Sequence, residues 1–151
     1  MILADFKDFP RTGRVLGIDW GARRIGVAVS DVAQDFIFTR PIVENKPWSR
    51  AAVAGVAQVI EDEDVVGIVI GLPIRMDGSE SETTMAVRTF ARDLTTYTDL
   101  PIVFIEENLT SFEAGEHLTG IKRAKMKEQL DSESAKVILE NAIALARRNY
   151  N

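Results

Sequence analysis

No cysteine occurs in the 151 residues and histidine occurs once. Neither a disulfide framework nor a thiolate zinc site can therefore hold this fold or do its chemistry. A reducing, cytoplasmic setting suits such a chain. Long apolar runs are also missing, since nothing approaches the ~20 residues that a membrane helix needs. The first twenty residues carry Asp5, Lys7, Asp8 and Arg11 where a secretory signal would need an apolar core, which excludes an ordinary signal peptide. With 46% hydrophobic residues, the chain fits one globular domain with a sizeable core.

A formal charge of -5 argues at first against an acidic partner such as nucleic acid. The acid is concentrated in the middle, however. Residues 61 to 110 hold 3 basic against 11 acidic side chains, whereas the segments on either side carry a slight basic excess. Lys122, Arg123, Lys125 and Lys127 fall within six residues, and Arg11, Arg14, Arg23 and Arg24 lie near the start. Each group reads either as a basic patch or as a solvated face.

No repeat, low-complexity segment or long linker divides the chain. Residues 14 to 20 and 24 to 30 predict two strands joined through Gly21-Ala22-Arg23 as a hairpin, and a third strand is expected around 36 to 43. Pro47 suits the first turn of a helix in which Val53, Val56, Ala57 and Ile60 recur at helical spacing, ending at Glu61 to Asp64. VVGIVIG at 65 to 71 and PIVFIEE at 101 to 107 lack polar alternation, as strands covered on both faces do. Between them the loop LPIRMDGSE leads into a helix with Val87, Phe90, Ala91 and Leu94 on one stripe. A short helix near 111 to 118 and a basic loop are expected next. A final helix over 132 to 148 would turn Ala135, Ile138, Leu139, Ala142 and Ala146 inward. The order β-β-β-α-β-α-β-α-α describes an α/β fold, a mixed sheet with helices on both faces.

Three acidic positions stand out. Asp19 sits inside the first strand, Glu106 and Glu107 end a central strand, and Asp131 precedes Ala135 by four residues, on the inner stripe of the last helix. Carboxylates gathered from three elements repel one another, and hard oxygen ligands of this kind suit Mg²⁺ or Mn²⁺. Each has a plainer reading. Asp19 can bond to hairpin amides, Asp131 can be a helix N-cap, and the two glutamates can be solvated at a strand end. The GLPIRMDG loop reads as a phosphate cradle or as a plain connection. His117 receives no role.

GIDWGARRIGVAVSD at 17 to 31, VIGLPIRMDGSE at 69 to 80, EENLTSFEA at 106 to 114 and DSESAKVILE at 131 to 140 together resemble the YqgF/RuvX family. These are Holliday-junction-resolvase-like proteins and pre-16S rRNA nucleases of bacteria with a ribonuclease H-like fold. The resemblance covers nearly everything after a leader of residues 1 to 13, so that 14 to 151 reads as a single domain of this type. It implies that Asp19, Glu107 and Asp131 are the catalytic and metal-binding carboxylates, holding two divalent cations, Mg²⁺ or Mn²⁺, for phosphodiester hydrolysis. Under the same reading Arg23, Arg24, Lys122, Arg123, Lys125 and Lys127 hold the backbone of structured RNA or branched DNA, and processing of the 5′ end of precursor 16S rRNA is the implied task. Glu106 and Asn108 flank the glutamate and tune it from behind. Asn108 is also a departure, because the family has arginine there and an aspartate in place of Glu106. Asparagine offers no charged fork to phosphate.

Other readings of the same residues are a DNA-junction resolvase, a non-catalytic nucleic-acid-binding assembly factor, and a nucleotide-binding domain of the actin-like or sugar-kinase type. The last would use Asp19-Trp20-Gly21 as its phosphate turn, but such enzymes enclose the nucleotide between two domains of this kind. A monomer and a homodimer are both compatible with the sequence, and no membrane partner is expected.

Overall fold

The computed structural model describes residues 1–46, 49–108 and 120–150, with side chains for all of these but 108 and 120–130. In chain order the elements are β1 (Ile2–Leu3), β2 (Arg14–Asp19), β3 (Arg24–Ser30), β4 (Ile37–Glu44), α1 (Ala51–Asp62), β5 (Val65–Ile74), α2 (Glu82–Leu94), β6 (Ile102–Asn108) and α3 (Gly120–Tyr150). The strands form one mixed sheet in the order β1-β6-β5-β2-β3-β4. β2, β3 and β4 are antiparallel neighbours, whereas β2, β5, β6 and β1 run parallel.

Strand alternation divides the core into two layers. Leu16, Ile18, Ile68, Ile70 and Leu72 pack with Val53 and Val56 of α1 and Val87 and Phe90 of α2. On the opposite face Val15, Val69 and Val103 meet Ile138, Leu139 and Ala142 of α3. β5 has helices over both faces, which is why its sequence shows no polar alternation. The segment set apart as a leader packs on this same sheet. β1 pairs with β6, and Phe6 and Phe9 are buried in the α3-side layer, edge to face with centroids 5.5 Å apart.

Two boundaries around β5 differ from the sequence expectation. The first helix begins at Ala51, not at Pro47, which lies outside the described residues; the Ser49 hydroxyl accepts from Ala51 N at 3.1 Å just before its first turn. Leu72-Pro73-Ile74 belong to β5, because β6 continues alongside them as far as Asn108. β2 pairs with β5 only as far as Ile70, so Pro73 withholds no ladder bond from that side.

The expected basic loop is helical: Lys122, Arg123, Lys125 and Lys127 lie within α3. The cluster reads as polar, yet Lys, Arg, Met, Gln, Glu and Leu are strong helix formers, and neither glycine nor proline follows Gly120. The expected helix at 111 to 118, with His117, lies outside the described residues. Among the described residues no helix is long and apolar enough to cross a membrane.

Candidate functional site

β2 carries its acid as its last residue, and the alternation that buries Leu16 and Ile18 toward α1 and α2 turns Gly17 and Asp19 toward α3. Gly26 is the register partner of Asp19 on β3. A Cβ on Gly26 would stand 1.9 Å from the backbone oxygen of Asp131, and one on Gly17 would stand 2.8 Å from that of Ala135. The backbone of α3 thus lies directly on the sheet beside Asp19. Asp131 is set inside the helix, eleven residues past its start, so the N-cap reading does not apply.

Glu107 reaches the same face from β6. It is the partner of Pro73, two residues beyond Ile105 and four beyond Val103 of the α3-side layer. Gly71 makes the room, since a Cβ there would lie 2.9 Å from Glu107 Oε2. Glu106 is exposed and points the other way, where its charge helps hold the Arg88 proton. Arg88 itself forks onto Glu80 at 2.9 Å and lies over the Phe104 ring. Asn108 ends β6, with its side chain outside the described set.

The electrostatics follow from this convergence. Burial, then the charge of Glu107, then that of Asp131 push the Asp19 carboxyl up to about 7. Burial also raises Glu107. No hydrogen bond figures among the forces on Asp19 from the described residues, which sets aside the hairpin-amide reading. Asp131 is engaged differently: Arg24 Nε donates to its Oδ2 at 3.0 Å, in a pair that keeps about a quarter of its surface in water. Among the described residues, no three acids close tightly enough to enclose an ion. The donor set itself, carboxylate oxygens crowded until one takes up a proton near neutrality, fits a hard dication such as Mg²⁺ or Mn²⁺.

Arg23 is exposed in the hairpin turn and Arg24 opens β3. With Asn45 and Lys46, just beyond β4, they line a cavity of about 280 Å³ whose wall also includes Ile42 and Glu44. Sequence reasoning misses Lys46 and Asn45, although a cation directly after the third strand of a meander lies beside the first hairpin turn. The early arginines separate. Arg14 binds Glu63 at 2.5 Å at the opposite end of β2, and Arg11 lies over Tyr150. In the GLPIRMDG segment Arg75 N donates to Ser79 O and Gly78 N to Arg75 O, and Ser79 N, just beyond it, donates to Asp77 Oδ1. The segment leads into the Ser81 cap of α2.

A family model described as "RuvX: Holliday junction resolvase" matches residues 13–145. A protein of Maridesulfovibrio salexigens named "Putative pre-16S rRNA nuclease" is 42% identical over 135 residues, covering 88% of this chain and 99% of its own. One of the same name from Bartonella bacilliformis is 35% identical over 141 residues, covering 90% and 87%. Among solved structures, Thermus thermophilus RuvC in complex with a Holliday junction substrate superposes with a TM-score of 0.51 at 15% identity, covering 89% of this chain and 94% of its own. That likeness is one of fold: a ribonuclease H-like sheet with its helices.

Proposed function

The chain belongs to the RuvX family, and from that membership we propose that it is a divalent-metal-dependent endonuclease of structured RNA. Its substrate is the 5′ end of precursor 16S rRNA and its place is the cytoplasm. The observation that carries this reading is the convergence of Asp19, Glu107 and Asp131 on the α3 side of the sheet, where the Asp19 carboxyl is pushed up to about 7 by its burial and its neighbours.

In this reading Asp19, Glu107 and Asp131 hold Mg²⁺ or Mn²⁺, as a pair of ions. When bound, such ions supply Lewis acidity for the attacking water and for the departing oxygen. The rest falls to the chain's own residues. Gly17, Gly26 and Gly71 let helix, sheet and carboxylates approach, and Arg23 and Arg24 fix the sugar-phosphate backbone beside Asp19. Lys122, Arg123, Lys125 and Lys127, in the turns of α3 before Asp131, extend that grip. Glu106 tunes Glu107 from the far side of β6, and Asn108, where an arginine would grip phosphate, leaves the grip to these cations. Interactions of this kind position a substrate without reading its sequence.

RNA is favoured over junction DNA by the names of the relatives that are 35–42% identical. Purified protein incubated with a 5′ precursor fragment of 16S rRNA and with a four-way DNA junction, in Mg²⁺, Mn²⁺ or EDTA, tests the reading on one gel. RNA cleavage that needs a dication supports it. Junction cleavage alone reassigns the substrate, and no cleavage of either leaves a binding factor.

A further inference from the structure

Glu44 is a carboxylate in a wall of cations. It lines the cavity of about 280 Å³ together with Arg23, Arg24 and Lys46. It is also the register partner of Arg24 on β3, so the two side chains share one face of the sheet. Arg24 Nε reaches Asp131 from that face, and Gly26, two residues further along β3, lies against the α3 backbone there. The cavity therefore lies on the α3 side, beside Asp131. Glu44 stands two strands from Asp19 in the order β2-β3-β4, roughly 10 Å across the sheet. A nucleotide held there is a near neighbour of the bond to be cut.

The cavity is a built feature: Asn45 Nδ2 donates to Gly21 O and Asn45 N to Arg23 O, each at 2.8 Å, which clamps the hairpin turn to the end of β4. Its three cations suit a backbone phosphate, but Glu44 repels one. An ionised carboxylate accepts hydrogen bonds and donates none, and it holds a hydroxyl in a charge-assisted bond about twice as strong as a neutral one. Within a nucleic-acid strand, every RNA unit presents a phosphate and a 2′-hydroxyl together. Deoxyribose carries only C–H at that position, and the 2′-hydroxyl is what lets a protein tell the two apart.

We propose that the cavity is a ribonucleotide subsite in which Arg23, Arg24 and Lys46 take a backbone phosphate and Glu44 accepts the 2′-hydroxyl of the adjoining ribose, so that Glu44 selects RNA over DNA. This rests on the RNA-nuclease reading above and adds to it a residue that reads the sugar. A deoxyribose in the subsite leaves the carboxylate near phosphate with no donor to bind. DNA then meets the repulsion without the bond.

The test uses full-length protein and two probes, an RNA stem-loop and the same stem-loop with 2′-fluorine in place of every 2′-hydroxyl. Fluorine keeps the A-form shape of the helix but donates no hydrogen bond. Both are titrated in EDTA, at several salt concentrations, into wild type, Glu44→Ala, Glu61→Ala and Lys46→Ala. Glu61→Ala removes the same charge from α1, away from the cavity. Wild type should prefer the hydroxyl form about tenfold, the factor that a hydrogen bond to a charged acceptor contributes. In Glu44→Ala that preference should shrink about tenfold, whereas Glu61→Ala should keep it. Lys46→Ala should weaken both forms alike and lower the slope of log affinity against log salt by about one.

Equal preference in wild type and Glu44→Ala overturns the proposal, as does a wild type that does not distinguish the two forms. An unchanged salt slope in Lys46→Ala overturns the phosphate half of the subsite. The nuclease reading is judged separately, by Mn²⁺-dependent cleavage of the hydroxyl form. Cleavage without any preference removes only the role of Glu44, and a preference that Glu44→Ala abolishes supports the subsite even where cleavage fails. Glu44, Lys46 and Glu61 are all exposed, which keeps these variants folded.

Discussion

Gly26 and the backbone of Asp131 are so close that a methyl group on the glycine would lie 1.9 Å from the aspartate's carbonyl oxygen. Backbone cannot give way as a side chain can. Gly26→Ala should therefore lift α3 off the sheet at the site, destabilising the protein by about 3 kcal/mol or more, the upper end of overpacking costs. Urea unfolding measures it, and an unchanged midpoint would mean that helix and sheet do not touch at this point.

Gly71→Ala makes an instructive contrast. Its Cβ would meet the Ile138 Cδ1 at 2.6 Å and the Glu107 carboxylate at 2.9 Å, both ends of side chains. The expected stability loss is smaller, about 1–2 kcal/mol, but Glu107 is pushed from its place. Calorimetric Mn²⁺ affinity should fall more in Gly71→Ala than its stability loss would suggest; full retention of metal binding would show that Gly71 only makes room for Ile138.

Much of this arrangement is legible in the sequence, because burial imposes period. The apolar strands at 65 to 71 and 101 to 107 and the stripe from Ala135 to Ala146 follow from packing that every residue of the element shares. Asp19 is legible for the complementary reason, as a charge where burial is costly. The choice between Glu106 and Glu107 is not, since both faces of that strand are apolar and register with β5 decides which acid faces α3. The start of α3 is hidden for a different reason: a run of cations looks like a loop when composition is weighed before helix propensity. Lys46 escapes because the cavity joins the ends of β3 and β4, a juxtaposition made by tertiary pairing alone.

Asp19 supplies the pH dependence. Without a dication the folded protein keeps the Asp19 proton up to about pH 7, while the unfolded chain releases it near the usual 3.8. The stabilisation from this group is complete below that lower value and is lost as the pH rises through about 7. Asp19→Asn should flatten the fall and leave the variant more stable than wild type at mildly alkaline pH, by on the order of 2 kcal/mol once partial solvent exposure is allowed for. Unfolding in EDTA across this range checks it; parallel wild-type and variant curves would mean that Asp19 is not crowded.

The two glutamates should separate cleanly. Glu107→Gln is expected to abolish cleavage and metal-induced thermal stabilisation together, because it removes a carboxylate from the α3 face. Glu106→Gln, on the other face, should keep substantial activity, with a ~10-fold loss if it orients Glu107 from behind. Thermal melts with and without Mn²⁺ on both variants decide between them, and the reverse pattern would transfer the ligand role to Glu106.

The four cations of α3 are tested together. Replacing Lys122, Arg123, Lys125 and Lys127 by Gln should weaken binding of all nucleic-acid sequences alike and reduce the salt slope by about one for each phosphate that these side chains neutralise. A slope identical to wild type would return them to the solvated face of a helix.

The most direct measurement of the central claim is single-turnover cleavage of a 5′ precursor fragment of 16S rRNA by wild type, Asp19→Asn and Asp131→Asn, each with Mn²⁺ and with EDTA. Cleavage by wild type with Mn²⁺ only, reduced by orders of magnitude in both variants while their folded state persists, is the predicted result. Near wild-type, metal-dependent cleavage by either variant would contradict the assignment of Asp19, Glu107 and Asp131 as the site of hydrolysis.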